Sequence, residues 1–429
     1  MVFTKSRQII VLIVSFFIFS MLIIPQPISA QLNDEWKKSY GGEAKDIAKS
    51  VIFTNDGGLL IAGSTRSFGP GKLSNFHLIK TNNNGYTEWK RTYGGKYNDE
   101  AEDIIQTQDG GYAIAGSSES FKGKAQDDFY MIKTDSEGRK QWDFGDGGDY
   151  DEKCYSIVQT DDGGYLLAGS TITFGDRGED FWVIKVDSNG NKTWSKTYGG
   201  DGDDICRSII KTGDGNYLLA GHTDSFGDPG QGGYLIKINE EGEKIWERAS
   251  GGPFDDYVYD VILDEDGGFV YVGSTTSYGS GEESFWLVKT DPEGHEEWNY
   301  SSDGDYDEVA YSVVKTDNGN YLMGGYTSSY GQGGKNFWAV EVDQEGEVVS
   351  KKTFGSGGDE IAYSVAKSEN GKYALAGYTE SYGAGQADFW VVKIGKPYRI
   401  PVLWVVVGSA GIVATVVIAF KLSKKYRLF

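Results

Sequence analysis

Short apolar runs recur from residue 33 to residue 394, and tight-turn sequences separate them. Between residues 151 and 200 the runs are CYSIVQT, YLLAGST, DFWVIKV and KTWSKTYG. The segments Asp161–Gly164 and Asp187–Gly190 lie between the first and second runs and between the third and fourth. Asp-Gly and Asn-Gly pairs favour β-hairpin turns. The pattern therefore predicts four antiparallel strands, which we call a, b, c and d in chain order.

The same pattern returns about every 52 residues. A tryptophan in strand d marks six copies at spacings of 53, 53, 52, 52 and 52 residues, and Ser350 takes the seventh place. These tryptophans, which we expect to pack between repeats, are Trp36, Trp89, Trp142, Trp194, Trp246 and Trp298. Four strands per repeat and seven repeats predict an all-β fold, a seven-bladed β-propeller.

The order of strands at the two ends predicts how the ring closes. Residues 33–40 form a lone strand d before any strand a, and the last copy ends at residues 389–394 with strand c. The N-terminal strand can therefore complete the seventh blade, which leaves no open sheet edge.

Two apolar segments flank the repeats. Residues 1–30 have the basic start, apolar stretch and small-residue end of a signal peptide, with an uncleaved anchor as the alternative. Residues 402–420 carry no charge and are long enough for a transmembrane helix, and basic residues follow at 421–429. The positive-inside rule places this tail in the cytoplasm. We therefore expect a propeller ectodomain at 31–396, a linker at 397–401 and a single-pass protein of the cell membrane.

Composition excludes some classes of function. The formal net charge of −22 argues against nucleic-acid binding, which needs a basic surface. The only cysteines, Cys154 and Cys206, occupy the same position in adjacent repeats, where we expect small buried residues rather than a disulfide. Only three histidines occur, in different parts of different repeats, so no histidine-rich metal centre is expected.

The repeats also resemble known families. The run from Asp187 to Trp194 is similar to the tryptophan-docking repeat of quinoprotein-like propellers, and Gly324-Gly325 followed by Phe337-Trp338 is similar to a kelch blade. Over residues 33–394 the chain most resembles prokaryotic exported β-propeller repeat proteins of the SBBP type. The resemblance implies the propeller fold and says little about function.

Acidic residues mark the connection from strand d to strand a. The predicted binding residues come ten residues after each tryptophan position, or directly before that acid in five copies. They are Asp46, Asp99, Asp151, Glu152, Asp203, Asp204, Asp255, Asp256, Asp307, Glu308, Asp359 and Glu360. Because strand a is the innermost strand of a blade, we expect these carboxylates to surround one mouth of the central channel. They either accept hydrogen bonds from their own blade or bind a hard cation such as Ca²⁺.

The predicted function is a binding module at the cell surface. The b–c and d–a loops are longer and more varied than the a–b and c–d turns, and binding residues gather on loops of a rigid scaffold. We expect a monomer whose partner is an extracellular protein or glycan. A secreted carbohydrate-active enzyme and an envelope assembly scaffold are the alternatives. No catalytic residues stand out, which leaves the question of enzymatic activity open.

Overall fold

The computed structural model describes residues 32–121, 123, 126–227 and 230–395. The predicted signal peptide, linker, transmembrane helix and basic tail lie outside these residues. Within the described part of the chain, no helix is long and apolar enough to cross a membrane.

Twenty-eight strands form seven four-stranded antiparallel sheets. Strand β1 is Asp34–Tyr40. Blade 1 contains β2 (Asp46–Phe53), β3 (Leu59–Thr65), β4 (Asn75–Thr81) and β5 (Thr87–Tyr93). Blade 2 contains β6 (Asp99–Gln106), β7 (Tyr112–Ser118), β8 (Asp128–Thr134) and β9 (Lys140–Asp146). Blade 3 contains β10 (Glu152–Gln159), β11 (Tyr165–Thr171), β12 (Asp180–Val186) and β13 (Lys192–Tyr198).

The remaining blades follow the same plan. Blade 4 contains β14 (Asp204–Lys211), β15 (Tyr217–Thr223), β16 (Gly232–Ile238) and β17 (Lys244–Ser250). Blade 5 contains β18 (Asp256–Leu263), β19 (Phe269–Thr275), β20 (Ser284–Thr290) and β21 (Glu296–Ser301). Blade 6 contains β22 (Glu308–Lys315), β23 (Tyr321–Thr327), β24 (Asn336–Val342) and β25 (Val348–Phe354). Blade 7 contains β26 (Glu360–Lys367), β27 (Tyr373–Thr379) and β28 (Asp388–Ile394).

The N-terminal strand closes the ring, as the sequence predicts. Strand β1 pairs with β28, so the sheet of blade 7 has the order β1-β28-β27-β26. The Gly395 amide also donates to the Asn33 carbonyl at 2.8 Å, which joins the two ends of the propeller.

Apolar side chains fill the space between adjacent blades. Strands b and c are almost wholly buried, as in β11 and β12, and core clusters combine residues of neighbouring blades, as between blades 2 and 3 and between blades 3 and 4. The strand-d tryptophans contribute at the outer edge. Trp142, for example, packs against the c–d turn of blade 3, where Gly190 has a φ of 84°. A Cβ there would lie 2.8 Å from the indole, so only glycine fits.

Hydrogen bonds from the innermost strands also join the blades. Asp103 accepts from the Ser50 and Ser156 hydroxyls at 3.1 and 3.2 Å, and Asp260 accepts from those of Ser208 and Ser312 at 3.2 and 3.0 Å. Backbone amides of Ile209, Val365 and Val51 complete the remaining junctions by donating to Ser156, Ser312 and Ser364. We call this closed ring of contacts the inner belt.

The two faces of the disc are distinct. In every blade the first residue of strand a donates its amide to the residue before strand c of the preceding blade, as Asp204 does to the Glu179 carbonyl at 2.6 Å. The d–a and b–c loops therefore lie together on one face, which we call the loop face. The a–b and c–d turns form the opposite plain face.

Candidate functional site

The predicted acids at the start of strand a are buried at the loop face. Asp46, Asp99, Glu152, Asp204, Asp256, Glu308 and Glu360 are each at most 1% exposed. Asp256 is typical, because its carboxylate accepts from the Gly252 amide at 2.7 Å, from the Ser277 hydroxyl at 2.9 Å and from Thr275. These are hydrogen bonds to the residue's own loops, and they consume the carboxylate oxygens. The carboxylates of these acids are therefore directed into their own blades and not into the channel mouth or solvent.

The preceding acids have a different environment. Asp151 and Asp203 are exposed, and each accepts from the backbone amide of the residue before strand c in the neighbouring blade, both at 3.0 Å. Asp255 and Asp359 make the same contact at 3.1 and 2.9 Å. Asp307 is half-buried. The twelve predicted acids thus lie on one face without forming a single cluster.

No group of three or more histidine, cysteine or acidic side chains is placed to hold a metal ion among the residues that the structure describes. Amides and hydroxyls already occupy the carboxylate oxygens of acids such as Asp256, whereas Oδ1 of Asp204 is buried without a partner in the described part of the chain. Binding of Ca²⁺ at these acids stays a prediction.

A second carboxylate accompanies the buried acid at some blade junctions. Asp180, the first residue of β12, lies beside Asp204 of the next blade. Burial, and then the charge of Asp204, raise the pKa of Asp180 to about 6, although its Oδ2 accepts from the Asp176 amide at 2.8 Å. The repeat pattern does not indicate this position, because the first residue of strand c varies among Asn, Asp, Gly and Ser.

Each innermost strand contains a β-bulge that sets one residue apart. In β10 the pairing with β11 shifts between Cys154 and Ser156, so Tyr155 has no partner in the ladder. The same shift occurs in all seven blades. A bulge re-aims the side chain of the extra residue. The opposing glycine permits it, since a Cβ at Gly169 would collide with the Lys153 carbonyl oxygen.

The bulge residues of neighbouring blades lie next to one another around the channel. We call this ring the girdle, and it consists of Lys49, Glu102, Tyr155, Arg207, Tyr259, Tyr311 and Tyr363. All seven are half-buried, whereas the residues directly before them are fully buried. Cys154 and Cys206 are among those buried neighbours, and both are free thiols.

One sector of the girdle is aromatic. The ring centroids of Tyr259 and Tyr311 are 4.9 Å apart, and those of Tyr311 and Tyr363 are 5.0 Å apart. Tyr326 and Tyr378 of the adjacent strands b lie 6.2 Å from Tyr311 and Tyr363. Blades 5 to 7 therefore present a continuous tyrosine surface to the channel.

The other sector is charged. The Lys49 ammonium lies 3.3 Å from Glu102 and 4.5 Å from the ring centroid of Tyr363. The Arg207 guanidinium lies 4.2 Å from the ring centroid of Tyr155 and 5.8 Å from that of Tyr259. Such stacking is the usual geometry of cation–π contacts. Arg207 thus joins the charged sector to the tyrosines.

Three carboxylates, together with Lys335, lie on the loop-face side of this ring. Asp127, Glu179 and Glu283 each directly precede a strand c. Burial raises the pKa of Asp127 to about 6, and burial also raises the pKa values of Glu179 and Glu283. Burial raises the pKa values of Tyr259 and Tyr311, and the negative charge of Glu283 acts in the same direction on both.

The sequence does contain a signal for the girdle. At the bulge position the seven repeats carry lysine, glutamate, arginine and tyrosine, whereas the flanking positions carry small residues, serine or aspartate. A ligand site in a repeat protein breaks the repeat symmetry. Comparison of the repeats for their differences, rather than for shared residues, would have found this ring.

Comparisons with known proteins bear on the fold. No protein-family model matches the sequence, and no curated protein sequence matches it. Among solved structures, the WD40 domain of Pan2 from Neurospora crassa is 10% identical, with a TM-score of 0.51 over 87% of this chain and 97% of that one. BBS1N, in a complex with ARL6DN, is 10% identical, with a TM-score of 0.50 over 85% and 97%.

A protein of unknown function from Dyadobacter fermentans is also similar, at 11% identity and a TM-score of 0.47 over 85% of this chain and 99% of that one. Likeness at such identities concerns the fold alone. The strand pairing and the similarity to WD40 architecture agree that the chain folds as a seven-bladed β-propeller.

Proposed function

We propose that this protein is an interaction module of the cell surface, which is anchored in the membrane and contacts its partner through the loop face. The propeller fold itself supports a role in interactions, because it presents many loops on a rigid ring. The choice of the loop face rests on the position of the exposed apolar side chains.

Exposed large apolar residues are concentrated on one side of the disc. Within the described residues, twelve of them lie in b–c or d–a loops: Phe68, Leu73, Phe121, Tyr150, Ile172, Phe174, Phe226, Phe254, Tyr278, Tyr306, Tyr330 and Tyr382. Only Tyr86, Ile245 and Val348 lie at the plain-face side. Exposed aromatic residues set among charges are typical of interaction surfaces. The loop face therefore has the composition of a binding surface.

The expected membrane anchor gives this face its orientation. The propeller ends with β28, whose last residue lies at the plain face, and residues 395–400 could span roughly 20 Å at most. If residues 402–420 cross the membrane, the plain face lies next to it. The loop face then points away from the membrane, where an extracellular protein or glycan can reach it.

The family resemblance supports the same proposal. Membership of the SBBP-type exported propellers is consistent with the predicted signal peptide and with the repeat pattern around Asp187 and Trp194. It remains part of this proposal, since it rests on sequence likeness alone.

Two exposed tyrosines provide a matched test. Tyr306 on the loop face is 63% exposed, and Tyr86 on the plain face is 65% exposed. A photo-crosslinking phenylalanine analogue at either site changes little else. In intact cells that produce the full-length chain, we expect a saturable adduct from position 306 that excess purified protein competes away. Equal adducts from both positions, or none from 306, would contradict the proposed face.

A further inference from the structure

Arg207 is the unusual member of the girdle. Its guanidinium makes no hydrogen bond or ion pair with any residue that the structure describes, and its Nε is buried without a partner. A guanidinium carries five N–H donors, and a buried donor without a partner is costly. Tyr155 and Tyr259 hold the group between them and leave its donors unused.

The other girdle cation does not share this property. Lys49 has Glu102 at 3.3 Å, so its charge is already balanced within the ring. Arg207 is therefore the one girdle cation without a carboxylate partner in the described part of the chain. Its charge is available for a group that enters the channel.

The adjacent tyrosines favour a negative group at this place. The rings of Tyr259, Tyr311 and Tyr363 are tilted to one another by 55° and 53°, so they are not stacked face to face. Aromatic edges carry positive charge, and phenolic hydroxyls donate hydrogen bonds. The hydroxyls of Tyr311 and Tyr363 make no hydrogen bond with other described residues. A planar anion can use the fork of Arg207, while Tyr311 and Tyr363 provide further donors elsewhere on the same ring.

The carboxylates on the loop-face side limit which anions can enter. Burial raises the pKa of Glu179 while the charge of Arg207 acts to lower it, and burial raises the pKa of Tyr259 with the charge of Glu283 acting in the same direction. Acidic groups at the entrance repel a simple inorganic anion, but they accept hydrogen bonds from hydroxyl or ammonium groups. A ligand that carries such donors next to its own carboxylate matches both sets of groups.

We propose that Arg207 binds a ligand carboxylate within the girdle, while the carboxylates at the entrance accept hydrogen bonds from hydroxyl or ammonium groups next to that carboxylate. This inference rests on the loop face being the binding surface, and it names the chemistry that the face recognises. Arg207 donates two parallel hydrogen bonds, the arrangement for which a guanidinium is suited. An acidic sugar and an acidic amino acid both offer this chemistry.

Calorimetry on the full-length chain tests the proposal with two pairs of probes. One pair is glucuronate and glucose, and the other is glutamate and glutamine. We expect at least one acid to bind about tenfold more tightly than its neutral partner, which corresponds to a hydrogen bond to a charged group. The pair that shows the difference identifies the source of the carboxylate. No preference in either pair overturns the proposal.

Variants locate the site. Arg207→Gln should remove the preference for the acid, and Arg207→Lys should restore part of it, because the charge returns without the planar fork. Arg248→Gln is the matched control, since Arg248 stacks on Trp246 in outer strand β17 and donates to the Glu247 carbonyl. An acid preference that persists in Arg207→Gln, or that is lost in Arg248→Gln, overturns the assignment. Unchanged melting temperatures show that the variants are folded.

The crosslinking experiment separates the two proposals. If position 306 still captures a partner while no acid is preferred, the carboxylate inference fails and the interaction function stands. If position 306 captures nothing, the interaction function itself fails.

Discussion

The plain face and the loop face are built from the ends of the same strands, yet they differ in how far the seven blades agree. On the plain face, the strand-c lysine is buried and pairs with the a–b turn, as Lys133 does with Asp109 at 2.8 Å. Lys80, Lys185, Lys237 and Lys289 repeat this ion pair. On the loop face, the girdle and the residues before strand c change their chemistry from blade to blade. Repetition thus marks the framework, and variation marks the face that we propose as the binding surface.

Blades 6 and 7 show how the framework adjusts when its residues change. Glu341 replaces the lysine in blade 6 and accepts from the Asn320 amide at 2.8 Å. In blade 7 the turn lacks the aspartate, and Lys393 instead donates to Asn83 of blade 1. Burial in the near absence of a close carboxylate lowers the pKa of Lys393. In both exceptions the buried residue at this position of strand c thus finds another polar partner, which is what a structural role requires.

Opening the ring should have the largest effect. Deletion of residues 31–41 removes β1, which leaves the edge of β28 unpaired and exposes the core side of Trp390 and Phe389. We expect the melting temperature to fall by more than about 10 °C and the protein to aggregate through the free edge. Deletion of residues 421–429 is the control and should leave the melting temperature unchanged. Equal melting of both deletions would show that closure contributes little.

Breaking a plain-face ion pair should cost less. Asp109→Ala leaves the Lys133 ammonium, whose side chain is 5% exposed, without a carboxylate. Because an unpaired buried charge is costly, we expect a loss of about 2 kcal/mol in the free energy of unfolding, measured by urea denaturation. Glu137→Ala is the control, since Glu137 is exposed and contacts only Arg139. Its effect should stay within about 0.5 kcal/mol. A loss no larger than this at Asp109 would remove the contrast between the faces.

The inner belt should respond to pH. Burial raises the pKa of Asp260 to about 6, against the lowering effect of its hydrogen bonds. The folded state then holds a proton that the unfolded state loses, so stability should fall as pH rises from about 4 to 6. Asp260→Asn removes this carboxyl, and the stability difference between wild type and variant should shift by about 1–2 kcal/mol across that range. A constant difference in urea denaturation from pH 4 to 7 would contradict the raised pKa.

The smallest effect is expected in the girdle. Arg207→Gln removes a cation that has no carboxylate partner, so its stability cost should stay below about 1 kcal/mol. Lys49→Met leaves Glu102 without its partner at 3.3 Å and should cost more. The same urea titrations measure both variants. If Arg207→Gln lowered the free energy of unfolding more than Lys49→Met, the guanidinium would have a structural role instead of a binding role.

The repeat pattern predicted most of the fold. Strands β11 and β12 begin and end where the sequence pattern places them, and the closure by β1 follows from the order of strands at the two ends. Strand β10 begins at Glu152, two residues before the predicted run at Cys154. The ladder extends that far because the residues before the bulge at Tyr155 still pair with β11, from Gly169 onwards.

The site was less predictable. Sequence periodicity placed the acids of the d–a loops on one face, but it could not show that Asp256 turns into its own blade. The bulge that sets Arg207 in the channel is a feature of strand pairing, and it leaves no gap in the repeat length. The residues that stack on Arg207 are Tyr155 and Tyr259, which lie 52 positions before and after it in the sequence.

The position of β28 also determines how the propeller bears a mechanical load. This last strand lies between β1 and β27 and is hydrogen-bonded to both along its length. Its ladder hydrogen bonds are perpendicular to the strand, so a pull on the chain beyond Gly395 along the strand loads both ladders in shear. Rupture then requires many hydrogen bonds to fail together instead of one after another. If a partner pulled on the loop face while the C-terminal end was held, the force would therefore act on β28. This strand resists separation because it is paired on both sides.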